Sequence, residues 1–306
     1  MGSILIPAMA KQGYDRGFAS ALSAISGSMG TIIPPSITFI IYGMITGESI
    51  GDLFLAGIVP GIVFGLILCI LVFVVSKKND WKSEDAKASL NEIGKAFFDA
   101  LWGLLSPVIV LGGIYTGLLT PTEAAAVAVI YSFIVGAFIY KELTLKTFWE
   151  ALFSTGKTTG IILLIIMNAG IFSWVLTQQG IAPRLTEMAL ELTTNPYIML
   201  LIINFVFLCA GCVMDNTSAL FILVPIILPI AQALDINLIH LGVVLVLNLS
   251  IGQVTPPVGP NLYVAADIGK VAFENICQRI LPMLGVSLIA LLLVTFIPWL
   301  STCLIK

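Results

Sequence analysis

The sequence predicts an all-α polytopic membrane protein built from two repeats, each carrying a re-entrant helical hairpin. Three observations carry that prediction. Of 306 residues, 58% are hydrophobic and 10% charged, against about a quarter charged in soluble domains. Uncharged runs long enough to cross a bilayer recur along the chain. Two double prolines, Pro34-Pro35 and Pro256-Pro257, stand inside such runs as copies of one pattern, Ser-x-Gly-x-x-x-Pro-Pro.

The first element leads into a stretch without charge from Gly17 to Thr46. Proline lacks a backbone N–H and clashes with the preceding turn. The pair therefore divides the stretch into arms Gly17–Ile33 and Ser36–Thr46. As a helix the second arm is roughly 17 Å long, well short of about 30 Å of hydrocarbon. A hairpin that enters to mid-membrane, turns at Pro-Pro and leaves by the same side accounts for both arms. The next runs are Leu53–Ser76, Leu101–Thr122, Ala124–Tyr140, Thr158–Pro183, Pro196–Met214 and Asn216–Leu234. The second hairpin follows, and Leu281–Ile305 closes the chain.

Between the runs, "SLNEIGKAFFDALWGLL", "TLKTFWEALF" and "RLTEMALEL" show amphipathic spacing and are expected to lie along the interface as arms. "TPTEAAAVAV" offers Thr120 as an N-cap and small residues for close packing. The expected organisation is residues 1–48 as a first-repeat transport segment and 49–157 as scaffold with arm helices. Residues 158–268 then form a second-repeat transport segment, and 269–306 an arm and a final scaffold helix.

Charge marks the loops. Lys77, Lys78, Lys82 and Lys87 form one basic cluster and Lys141 with Lys146 another. Two spans separate them, so both are expected on the cytoplasmic face. The net charge of -3 is small and dispersed, so the chain carries no nucleic-acid footprint. The first residues lack a basic n-region and a small-residue cleavage site. Cys69, Cys209, Cys212, Cys277 and Cys303 read as small buried hydrophobes. His240, the single histidine, reads as a packed or interfacial imidazole. With no HExxH and no Ser/His pairing, an enzyme is not expected.

A shift of 222 residues aligns Pro7 with Pro229, Pro34-Pro35 with Pro256-Pro257, and Pro60 with Pro282. It also aligns Ser28 with Ser250 and Gly30 with Gly252. Duplicated halves are common in secondary transporters. If 196–232 is one crossing broken at "GCVMDN", the second repeat is inverted; if it is two, the repeats are parallel. The broken helix before repeat 2 has no counterpart before repeat 1. The chain is therefore expected to be part of a longer, split or fused subunit.

Each tip exposes non-helical backbone, which a membrane tolerates only in protein or along a wet cavity. The first arm ends in free carbonyls, which suit a hard cation such as Na⁺, helped by the hydroxyls of Ser28, Thr31 and Thr255. The second arm begins with free N–H groups, which suit an anion at Ser36 after Pro35 and after Pro257. Gly30 and Gly252 are expected to supply conformations forbidden to other residues. In "AGCVMDNTSALFILVP", an acid at membrane depth is a functional candidate. Asp215, Asn216, Thr217 and Ser218 are thus candidates for binding solute, and Asp215 reads equally as an N-cap for the helix from Asn216. Gly211 is expected to let the backbone unwind.

"SGSMGTIIPPSITFIIYG", "GLLTPTEAAAVAVIYSFIVGAFIYKEL" and "SIGQVTPPVGPNLYVAADI" together resemble the large membrane subunit of tripartite ATP-independent periplasmic (TRAP) transporters. The resemblance covers essentially the whole chain. It implies an elevator-type, Na⁺-driven importer in the bacterial inner membrane, with a transport domain of two hairpins moving against a scaffold. It further implies an organic-acid solute, of the C4-dicarboxylate or sialic acid class, delivered by a periplasmic substrate-binding protein. A small membrane subunit, separate or fused, is the other implied partner. By motif, one Na⁺ site would involve Ser28, Gly30, Ile33 and Pro35, and the other Gly211, Gly252, Thr255 and Val258. Family members normally begin well before this sequence does, so one wall of the first site is expected to lie outside it. A stand-alone Na⁺/dicarboxylate symporter is the alternative, followed by a re-entrant-loop channel.

Overall fold

The computed structural model describes residues 2–81 and 89–305; Lys82 and Lys87 of the first basic cluster lie outside them. The described residues are helical, with no strand. Among the described residues, seven helices have the length and apolarity to cross a membrane. The chain divides into two compact units, Met1–Glu84 with Ala169–Lys306, and Asp85–Asn168.

The first unit contains the repeats, and their elements correspond at the expected shift. Helix α1 (Gly2–Lys11) precedes α2 (Arg16–Met29) and α3 (Ile37–Thr46), which the Pro34-Pro35 turn separates. The long α4 (Ile50–Lys78) follows. Later in the chain come α11 (Leu238–Gly252) and α12 (Pro260–Gly269), then α13 (Phe273–Phe296) and the short α14 (Trp299–Thr302). Even the caps match: Asp15 accepts a hydrogen bond from Phe18 N at the start of α2, and Asn237 accepts one from His240 N at the start of α11. Both Pro-Pro peptide bonds are cis. The arms α3 and α12 have 10 residues each, or roughly 15 Å.

The segment read as one or two crossings is two helices, α9 (Pro196–Val213) and α10 (Asn216–Ala233). Each passes the length and apolarity test for a span. The separate amphipathic α8 (Ile181–Leu192) precedes them, as "RLTEMALEL" suggested.

α11 is the centre of this unit: His240 to Gly252 are buried without interruption. Its packing depends on absent side chains, since a Cβ on Gly242 would lie 2.5 Å from the ring of Tyr42. Tyr42 is fully buried, and its hydroxyl donates to Leu238 O at 2.6 Å, fastening α3 to the first turn of α11. Tyr42→Phe is expected to remove about 1 kcal/mol and to lower the thermal midpoint in detergent. An unchanged midpoint would show that this bond contributes nothing net.

In the second unit, α5 (Leu90–Tyr115) and α6 (Pro121–Ile134, continued by a π-turn at Val135–Ile139) form an antiparallel pair. Both begin with reciprocal capping boxes, Ser89 with Glu92 and Thr120 with Glu123. Glu123 is thus a cap partner. Tyr131 and Tyr140 donate from α6 and its end to Trp102 O and Asp99 O of α5, at 2.7 and 2.9 Å.

One reading is extended and one corrected here. The amphipathic stretches at 89–105 and 144–153 are continuous with the apolar runs that follow them. α5 runs through both parts, as does α7 (Leu145–Gln178), because no breaker stops either helix. Pro107 sits inside α5 without ending it. The cysteines differ from expectation. Cys212 is buried, but Cys69 and Cys209 are exposed and Cys277 and Cys303 half-buried. Outward faces of apolar helices meet lipid, which favours a small apolar side chain as well as a core does.

Candidate functional site

The two tips and the α9–α10 break meet in the first unit. At tip 1, α2 ends in a turn: Thr31 N donates to Ser28 O and Ile33 N to Met29 O, both at 3.2 Å. Ser28 is buried, and its hydroxyl donates to Ala24 O at 3.2 Å. Ser36 is buried as well; its hydroxyl donates to Thr31 O at 2.5 Å and accepts from Phe39 N at 3.3 Å. It therefore closes the tip and caps α3. Ile33 is exposed, as are Gly30 and Pro35.

Tip 2 is held against the broken helix by backbone contact. A Cβ on Gly252 would lie 2.7 Å from Gly211 Cα and 2.8 Å from Gly211 C. Below about 3 Å something must shift, and here the obstacle is main chain. Gly259 N donates to Cys212 O at 3.2 Å, adding a second tie between α9 and the tip. Thr255 N donates to Gly252 O at 2.9 Å, and its hydroxyl to Ile251 O at 2.8 Å. Gly211, Gly252 and Thr255 are thus brought together, with Val258 farther along the same tip and partly exposed.

The role expected of the glycines changes. Gly30 has ordinary helical backbone, with φ -61° and ψ -16°, and Gly252 is the last residue of α11. Gly211 stays within α9; the chain unwinds after it, at Met214 and Asp215. What Gly211 and Gly252 supply is close approach. The positive φ at tip 2 belongs to Gly259, at 49°.

Among the solute candidates, Asp215 is exposed and caps α10. Its carboxylate accepts from Ser218 N at 3.1 Å and from Ser218 Oγ at 2.6 Å, so these two side chains engage each other. Thr217 is half-buried. Asn216 is 5% exposed, and neither polar atom of its amide has a hydrogen-bond partner. A buried amide without a partner costs about 1–3 kcal/mol, which an arriving polar group would offset. His240 is packed, with Nδ1 3.2 Å from Ser301 Oγ.

The sequence reading missed a buried amide network behind the tips. Asn248 donates to both the backbone O and Oδ1 of Asn204 at 2.8 Å, and Asn204 Nδ2 donates to Thr295 Oγ1 at 2.9 Å. This fastens α11 to α9 and α13. It also missed Gln253 and Asn261, which link tip 2 to tip 1: Asn261 Nδ2 donates to Gln253 Oε1 and to Ser28 Oγ, each at 3.1 Å. The available signal was an amide alone in an apolar run, as in "VLVLNLS".

The helix break between α9 and α10 thus lies against the turn after α11, and the turn after α2 is tied to it through Ser28 and Asn261. Comparison with known proteins is specific. The family model described as "Tripartite ATP-independent periplasmic transporter, DctM component" matches residues 1–300. The chain is 40% identical over 298 residues to the isethionate TRAP transporter permease protein DctMQ of Oleidesulfovibrio alaskensis, covering 97% of this chain and 47% of that protein. It is 39% identical over 322 residues to the C4-dicarboxylate TRAP transporter large permease protein DctM of Vibrio cholerae, covering 99% and 71%. The sialic acid TRAP transporter large permease protein SiaM of Vibrio cholerae is 37% identical over 298 residues, covering 97% and 70%. The chain therefore belongs to the DctM-component family of tripartite ATP-independent periplasmic transporters, as a multi-pass protein of the inner membrane.

Proposed function

We propose that this chain translocates an organic acid into the cell, coupled to Na⁺, as the large membrane subunit of a tripartite importer. The observation that supports the reading most is the backbone contact of Gly211 with Gly252, near the α9–α10 break and the Pro256-Pro257 turn. Helix C-terminal ends there offer carbonyl oxygens to a cation, and helix N-terminal ends offer N–H groups to an anion. Ser28, Gly30, Ile33 and Pro35 would contribute one Na⁺ site, and Gly211, Gly252, Thr255 and Val258 the other. The unpaired amide of Asn216 supports a polar solute nearby. The ten-residue arms α3 and α12 support re-entrant hairpins, which in an elevator mechanism move together against a scaffold.

The relatives' names point to small acids: isethionate, C4-dicarboxylate and sialic acid. The proposed partners are a periplasmic substrate-binding protein and a small membrane subunit. The test is uptake into proteoliposomes holding the assembled transporter. Uptake is expected only with an inward Na⁺ gradient and the cognate binding protein. Equal uptake with choline in place of Na⁺ would overturn the coupling, and uptake of free solute would overturn the tripartite delivery.

A further inference from the structure

The contacts between the tips are reciprocal with respect to the repeat. At the shift of 222 residues, Ser28 corresponds to Ser250 and Thr31 to Gln253. Thr31 Oγ1 is hydrogen-bonded to Ser250 Oγ. On the other side Asn261 Nδ2 joins Ser28 Oγ to Gln253 Oε1. The serine of each repeat is thus tied to the corresponding later position of the other. Contacts of the form i to j and j to i are the mark of a two-fold relation. One tie is direct and the other has a spacer, because Asn261 has Phe39 as its repeat counterpart, which has no polar atom to offer.

We propose that this pair of ties joins the two cation sites into one cooperative unit, with Asn261 as the positioning residue between them. The proposal rests on the Na⁺-site reading above. Both protons of the Asn261 amide nitrogen are directed at Ser28 and Gln253, so this nitrogen fixes oxygens in place and ligates nothing itself. The Ser28 hydroxyl donates to Ala24 O and accepts from Asn261, leaving one lone pair with a fixed direction. A cation ordering tip 1 therefore also orders Gln253 and the turn into α12. A cation at tip 2 acts back through Ser250 and Thr31. A second ion then binds to a tip already ordered, and this is positive coupling between sites.

The test uses Na⁺ as the probe, with choline for ionic strength, on the assembled transporter in proteoliposomes. The Na⁺ activation curve of the unaltered protein is expected to be steep, with a Hill coefficient clearly above one. Asn261→Ala and Ser250→Ala each cut one tie. Each is expected to bring the Hill coefficient towards one and to raise half-saturating Na⁺ about 5-fold, the lower end of ordinary site coupling. Thermal midpoints without Na⁺ identify the variants that fold: each is expected to unfold cooperatively at a modestly lower midpoint, as loss of buried hydrogen bonds requires, and only such variants are scored for ion coupling. Should one variant fail to fold, the other carries the test. A Na⁺-activated parent whose Hill coefficient both folded variants retain would overturn the coupling alone. A parent without Na⁺ activation would overturn the ion-site reading and the coupling with it.

Discussion

Gly252→Val is expected to raise half-saturating Na⁺ for uptake at least about tenfold, or to abolish Na⁺ dependence, in a protein that still inserts. The reason is the contact with α9. A Cβ at this position would lie 2.7 Å from Gly211 Cα, 2.8 Å from Gly211 C and 3.3 Å from Cys212 N. All three are main-chain atoms, so no rotamer change relieves the overlap; α9 and α11 must separate. Separation also pulls on the bond from Gly259 N to Cys212 O. Tenfold corresponds to about 1.4 kcal/mol, within the usual cost of forcing extra atoms into a packed contact. Gly285→Ala is the control, since a Cβ there has nothing within 4 Å. It is expected to match the parent in uptake and in thermal midpoint. Parental Na⁺ dependence in Gly252→Val would remove the second ion site from this contact.

The contrast between Gly252 and Gly30 shows what the sequence could and could not convey. The repeat register was legible because prolines and caps are local signals. Pro34-Pro35 and Pro256-Pro257 interrupt helices whatever surrounds them, and Asp15 and Asn237 cap by their own chemistry. The short helices α3 and α12 begin after these prolines, and most spans were legible as uncharged apolar runs. What a glycine is for depends on its neighbours, and those are distant in sequence. Gly30 and Gly252 occupy one repeat position, yet only Gly252 faces the backbone of another helix; a Cβ on Gly30 would meet Gly27 O of its own helix alone, at 3.2 Å. Asp215 was read in two ways for a similar reason. Its capping of α10 is local, whereas the isolation of the Asn216 amide is set by packing from other helices. The tie from Asn261 to Ser28 was invisible because it spans 233 residues of sequence. The merged helices α5 and α7 have a different cause. Amphipathic and apolar stretches differ in composition, but composition does not end a helix without a breaker or cap.

Tip 1 has its own packing dependence, on α4, and Gly57→Val is expected to expose it. A Cβ on Gly57 would lie 2.6 Å from Phe39 Cε2 and 2.8 Å from Ile32 O. Phe39 and Ile32 are both fully buried, so the ring has no space to swing into and the carbonyl belongs to the tip itself. Valine must therefore push the tip away from α4, at about 1–3 kcal/mol. The expected result is a lowered thermal midpoint together with weaker Na⁺ activation, because Ile33 and Pro35 shift with Ile32. Gly61, one turn farther along α4, provides the comparison. Its Cβ would meet Ile33 Cγ1 at 3.1 Å and Ile32 Cγ2 at 3.6 Å, both side-chain atoms. Ile33 is 47% exposed and free to yield by a few tenths of an ångström. Gly61→Ala is thus expected to keep the parental midpoint and Na⁺ activation. If the two variants behave alike, the closer contacts at Gly57 do not set the first tip. If Gly57→Val alone is impaired, α4 is the surface against which the first tip is set. The proposed ion site would then depend on a helix outside the residues proposed to form it.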